Sequence, residues 1–157
     1  MTPEIHIQKL DPTNKDLIDR IANWYFEEWA IPTDTTIKRL TTQSNDDVLL
    51  QLVLSKNSIP VATGGLYNKV GLLKEHERFQ KFKPWVALLY TDAKNRNQGL
   101  GQLLLNKIEE VAKETGLKKI YLFTFTAESL YIRAGWEEIE RVNYKGHNTV
   151  VMEKEIS

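Results

Sequence analysis

Apolar and polar positions change their period several times along the chain, and each change marks an element. Ile5 and Ile7 alternate with polar neighbours over residues 4–10, which predicts a short first strand. Asp11-Pro12-Thr13-Asn14 reads as a turn and helix start, and from Lys15 to Ala30 the residues Leu17, Ile18, Ile21, Ala22, Tyr25 and Trp29 recur at helical spacing. Pro32 ends that helix, and Thr35 to Leu40 suggest a second, shorter one. Val48–Leu54 and Ile59–Leu66 read as strands joined by the turn Lys56-Asn57-Ser58, a hairpin. Residues 68–84 are expected to form a long loop. Trp85–Thr91 is almost wholly apolar, as in a strand buried on both faces.

A helix then places Leu100, Leu103, Leu104, Ile108, Val111 and Ala112 on one stripe, with Gly116 as its C-terminal cap. Ile120–Phe125 predicts another strand, and Glu128–Arg133 a short helix stopped by Gly135. Glu137–Tyr144 and Thr149–Ile156 close as a hairpin around Lys145-Gly146-His147. The order is β-α-α-β-β-β-α-β-α-β-β. A buried strand, a crossover helix and a further strand make one parallel βαβ unit inside an otherwise antiparallel sheet.

Composition narrows the functions open to this pattern. The 157 residues suit one domain spanning 1–157 with a real core. Lys plus Arg equals Asp plus Glu at 21 each, so no global field draws nucleic acid or an anionic membrane. The absence of cysteine removes disulfides, thiolate metal sites and thiol nucleophiles. His6, His76 and His147 are scattered without ligand spacing, which argues against a metal site. The start, MTPEIHIQKL, has no apolar leader core, so a cytoplasmic protein is expected.

The chemistry gathers where strand 85–91 meets the helix after it. Gly99 and Gly101 stand at that join, in a helix start that gains no stability from them. The first turn of a helix has backbone N–H groups without internal partners, and the macrodipole adds positive potential there. Glycines remove the Cβ atoms that would keep a phosphate away, and Lys94 and Arg96 add cations. Glycines alone would equally serve a tight strand-to-helix turn. The dinucleotide fingerprint fails because the sixth position is Leu104, and no Gly-Lys-Ser/Thr follows to make a Walker loop.

Arg96-Asn97-Gln98-Gly99-Leu100-Gly101 does resemble the R/Q-x-x-G-x-G/A pyrophosphate loop of the GNAT superfamily of N-acetyltransferases. Downstream, "SLYIRAGWEEI" looks like that family's F/L-Y-x-x-x-G-F/W motif, and the element order agrees over essentially the whole chain. The resemblance implies a mixed α/β sheet of about seven strands, mostly antiparallel with one central parallel pair, flanked by about four helices. It implies acetyl-CoA as co-substrate, no metal, and an acceptor amine on a small molecule or peptide. Carried over by position, the backbone of Leu89, Tyr90 and Thr91 would bond the pantetheine amides. Main-chain N–H groups from Asn97, Gln98, Gly99, Leu100, Gly101 and Gln102 would hold the pyrophosphate, with Arg96 alongside. Tyr131 matches the family tyrosine that protonates the departing thiolate as general acid. It would also pack as a core residue against Trp136.

Many relatives carry a general-base glutamate on the strand before the loop, and Trp85–Thr91 contains none. Glu28 is the candidate in its place. It shares the apolar face of the first helix while Glu27 points away, though solvated helix surface accounts for both. His147 and an ordered water are the other options. Trp24, Tyr25, Phe26 and Trp29 exceed what such a helix usually buries; core packing explains them first, an acceptor pocket or a homodimer contact otherwise. The stretch from Asn68 to Pro84 holds five Lys or Arg against two Glu and is set to flank the cleft, favouring acidic acceptors. Against the N-acetyltransferase reading stands a CoA-binding sensor or interaction module without catalysis.

Overall fold

The computed structural model describes residues 2–42 and 46–156. The strands are β1 (Ile5–Lys9), β2 (Val48–Lys56), β3 (Ile59–Tyr67), β4 (Trp85–Thr91), β5 (Lys119–Thr124), β6 (Glu137–Tyr144) and β7 (His147–Glu155). The helices are α1 (Lys15–Trp29), α2 (Thr33–Thr41), α3 (Leu72–Glu75), α4 (Leu100–Glu114) and α5 (Glu128–Arg133). The seven strands form one sheet in the order β1-β2-β3-β4-β5-β7-β6. Every neighbouring pair is antiparallel except β4 and β5. Asn14 caps α1 by accepting the Leu17 N–H at 3.2 Å. Asn57 and Ser58 take left-handed φ of 51° and 69°, the turn that matches the twist of a two-residue hairpin. Lys145 and Gly146 do the same between β6 and β7, so His147 begins a strand instead of sitting at the tip.

Three apolar clusters hold the layers together. On one face α4 packs across β2, β3, β5 and β7 through Leu104, Ile108, Leu52, Ala62, Leu122 and Met152. On the other, α1 and α2 cover Val53 and Tyr90. The segment between β3 and β4 covers Val142 and Val151 further along that same face. That segment is not the long loop expected. It contains α3 and a 3-10 turn over Glu77–Lys81, because Leu72, Leu73 and Phe79 are buried against Trp85, and burial imposes regular backbone. Its cations are spread out. Arg78 pairs with Glu140, and Lys81 lies 5.3 Å over the Phe82 ring, itself stacked on Tyr121 at the start of β5. Lys81 thus stands at the opposite end of β4 and β5 from the glycine loop.

The stripe of α4 also differs by one residue. Leu105 is buried at 2% exposure and Leu103 is 44% exposed. At about 100° per residue, Leu105 lies about 20° past Ala112, while Leu103 falls about 60° outside Leu100 on the other side. The helix ends as expected at Gly116, with φ 87°. The Gly116 N–H donates to Lys113 and the Leu117 N–H to Ala112, a Schellman close.

The feature that positions the site is the middle of β4. It pairs with β5 at one register point, Trp85 opposite Tyr121. Beyond it the two parallel strands part. At Leu88 the backbone turns left-handed, φ 57°. The β3 register jumps from Gly65–Ala87 to Thr63–Tyr90, so Gly64 faces both Leu88 and Leu89, a β-bulge. Gly64 lets the Leu89 side chain lie close, since a Cβ there would come within 2.3 Å of it and force it to shift. Trp85, Val86 and Tyr90 are buried, but Ala87, Leu88, Leu89 and Thr91 are only half-buried. The strand buried on both faces is therefore open in its second half, where no β5 partner lies beside it.

Candidate active site

After β4 the chain makes a short 3-10 turn, Ala93–Asn95, and Arg96 extends it. Asn97 and Gly99 both take left-handed φ, 62° and 77°, which asparagine and glycine tolerate best. Gly99 is the N-cap of α4 and supplies no capping side chain. Its carbonyl accepts the Leu103 N–H at 3.1 Å. Among the described residues, the N–H groups of Gln98, Gly99, Leu100, Gly101 and Gln102 find no acceptor in the chain. A Cβ at Gly99 would meet nothing within 4 Å, and one at Gly101 only the Thr91 hydroxyl at 3.9 Å. The helix tip is open at its two glycines and rich in free donors, so the residues fit an anionic group.

A cavity of about 200 Å³ runs from this tip along the open half of β4. It is lined by Leu89, Tyr90 and Thr91, by Gly101 and Gln102 at the start of α4, and by Tyr131 of α5. Residues from three separate stretches of sequence are thus brought to one space. Tyr131 packs edge-on against Trp136, ring centres 6.0 Å apart at 71°. Its hydroxyl makes no hydrogen bond among the described residues, and burial holds its pKa above the usual 10. It therefore serves as a wall and keeps its proton. Leu100 contributes its N–H alone, its side chain being sunk in the core at 5% exposure.

Other candidates fall outside the cavity. Arg96 is turned away from the free amides. Its Nε donates to the Thr91 carbonyl at 2.8 Å, its Nη2 lies 3.3 Å from Glu28, and its guanidinium sits 5.5 Å over the Tyr90 ring. Glu28 is exposed and held in that pair, and Glu27 is exposed too. The His147 ring stacks on Phe125 at 3.9 Å and 8°. No carboxylate or imidazole lines the cavity among the described residues. Of the α1 aromatics, Tyr25 is fully buried and Trp24 stacks on Tyr90 at 5.2 Å. Trp29 meets Tyr90 edge-on at 6.3 Å, and Phe26 is 54% exposed.

Two contributors were missed from sequence. Lys56, at the far end of β2, donates to the Gln98 side chain at 2.8 Å and adds a cation beside the loop. Beneath β4, Tyr25 donates to the Leu88 carbonyl at 2.8 Å and accepts from Gln51 at 3.1 Å. Gln51 also donates to Thr63 at 2.7 Å and accepts from Tyr67. No local spacing announces contacts between residues so far apart in the chain.

The model of the Acetyltransferase (GNAT) family matches residues 15–136. Solved structures of the same shape share few residues with the chain. An aminoglycoside 6'-N-acetyltransferase complexed with coenzyme A is 16% identical, with TM-score 0.75 and 97% of each chain covered. The ribosomal-protein-S18-alanine N-acetyltransferase from Escherichia coli is 20% identical at TM-score 0.70, covering 98% of this chain and 95% of that one. A PaiA N-acetyltransferase from Thermoplasma acidophilum, in complex with coenzyme A, is 18% identical at TM-score 0.65, covering 97% and 99%. No curated protein matches the chain.

Proposed function

The chain belongs to the GNAT family of acetyltransferases, and from that premise we propose that it transfers an acetyl group from acetyl-CoA to an amine. The observation that carries the proposal is the meeting of two unfilled features in one cavity: the free N–H groups at the tip of α4 and the protonated Tyr131. Acetyl-CoA supplies the activated thioester when bound. The chain's part is to hold and orient it. Backbone donors from Asn97 to Gln102 take the pyrophosphate, as a bare helix tip favours. The main chain of Leu89, Tyr90 and Thr91 has lost its β5 neighbour and takes the pantetheine amides in place of a strand.

Tyr131 acts as general acid towards the sulfur, and its raised pKa keeps the phenol protonated at neutral pH. With no carboxylate in the cavity, a water removes the amine proton, and Glu28 braces Arg96 instead of acting as base. Arg96 reaches the pyrophosphate by exchanging Glu28 for it.

Two measurements test this reading. Acetyl-CoA should raise the melting temperature far more than NAD or ATP, because a ligand bound only by the native state stabilises it by mass action. Equal shifts from all three would mean generic anion binding. Thiol release against an amine panel, with an aminoglycoside and an alanine-terminated peptide among its members, should find turnover with at least one acceptor. Protection without turnover on a broad panel would favour a CoA-binding module.

A further inference from the structure

The network beneath β4 is costly for a core. Gln51 and Thr63 are buried, and Tyr25 and Tyr67 are each 1% exposed. Apolar residues of like volume would fill the same space without polar atoms to satisfy. Here every donor is used in sequence. Tyr67 donates to Gln51, Gln51 donates to both Tyr25 and Thr63, Thr63 donates to the Leu52 carbonyl, and Tyr25 donates to the Leu88 carbonyl. Gly65 lies against it, since a Cβ there would come within 2.2 Å of the Leu50 carbonyl oxygen and 2.8 Å of the Gln51 side-chain oxygen. The chain of bonds ends on backbone, and one of its ends is the bulge.

Leu88 is left-handed without being glycine. A non-glycine residue stays in that region only when its surroundings hold it there. Because the peptide unit is planar, gripping the Leu88 carbonyl also fixes the Leu89 N–H at its other end. Leu89 is the first of the β4 residues that line the cavity.

We infer that Tyr25 is a positioning residue for the donor: through the Leu88 carbonyl it sets the bulge that aligns the backbone of Leu89, Tyr90 and Thr91 along the cavity. The inference rests on the reading of that cavity as the acyl-CoA groove. It gives α1 a task beyond packing, since the helix carries the hydroxyl that shapes the strand beneath it.

The test compares Tyr25→Phe with Tyr67→Phe, both of which keep the ring and lose one hydroxyl of the network. CoA dissociation constants, donor and acceptor KM, and melting temperatures are measured for each and for the wild type. Both variants should melt lower. Tyr25→Phe should raise the CoA dissociation constant and the acetyl-CoA KM about 3- to 10-fold, the scale of one hydrogen bond, with acceptor KM unchanged. Tyr67→Phe, which leaves the bond to Leu88 in place, should stay within about twofold of wild type in both. Wild-type CoA affinity in a destabilised Tyr25→Phe protein would overturn the inference, and so would equal losses in the two variants, which would mean general loosening of the core. A wild type that binds no CoA would instead overturn the functional reading, and this inference with it.

Discussion

On the α1 side of β4, the Tyr25 hydroxyl accepts from Gln51 and donates to Leu88, and no polar atom of its cluster is spare. On the α4 side, the Tyr131 hydroxyl and the N–H groups of Gln98 to Gln102 have no partner among the described residues. Both tyrosines are kept from ionising by burial. The difference lies in what surrounds the proton. A satisfied network grips the strand from below, while the free set above it is what the proposed donor would complete. Free donors at a helix tip beside a cavity are open to an anionic ligand.

Tyr131→Phe should break the open side with the largest effect. The ring still packs on Trp136, so folding and CoA affinity change little. Loss of a positioned general acid should lower kcat by about 10²-fold, the low end of the usual range because a thiolate leaves readily. Wild-type turnover in single-turnover measurements of the chemical step would make Tyr131 a wall residue only.

Gly101→Val separates folding from binding. In the first turn of α4 valine is no poorer a helix former than glycine, so stability in denaturant titrations should not fall. The branched side chain, larger than the alanine this loop pattern accepts, would stand on the tip, and losing one charge-assisted hydrogen bond there should weaken CoA about tenfold. An unchanged CoA affinity would mean that the tip does not receive the phosphates. Gly99 is a poorer probe, because its φ of 77° strains any replacement and confounds the two effects.

The smallest effect is a pH slope that should tell the two tyrosines apart. Each has a folded pKa above its unfolded value near 10. Below pH 10 both states are protonated and neither residue affects stability. Above it the unfolded chain releases protons that the folded chain retains, so stability falls as pH rises, by up to about 1.4 kcal/mol per pH unit for each such group. Tyr25→Phe should flatten that fall in denaturant titrations between pH 10 and 11, and Tyr131→Phe should flatten it less. A steep alkaline fall in Tyr25→Phe equal to wild type would show that its phenol ionises in place.

Much of this molecule was legible before any coordinates. Local signals sufficed for the asparagine cap of α1, the two tight hairpins, the glycine close of α4 and the loop 96–101, because each depends on residues adjacent in the chain or a turn apart. Periodicity failed by one residue on α4 because the stripe's width, and hence Leu105 over Leu103, is set by what the helix packs on. The segment 68–84 was misread as loop because its Leu72, Leu73 and Phe79 acquire order only from Trp85, Val142 and Val151.

The sequence by itself determined the strands, the four longer helices, their order and the glycine-loop motif, since these follow from backbone sterics and helix-end chemistry. Tertiary structure alone decided that β4 parts from β5 after a single pairing, that Arg96 turns to Glu28, and that Tyr25 reaches 63 positions along the chain to the Leu88 carbonyl. Such contacts join residues with no local relation. They form only once the sheet has ordered the strands and fixed which side chains share a face.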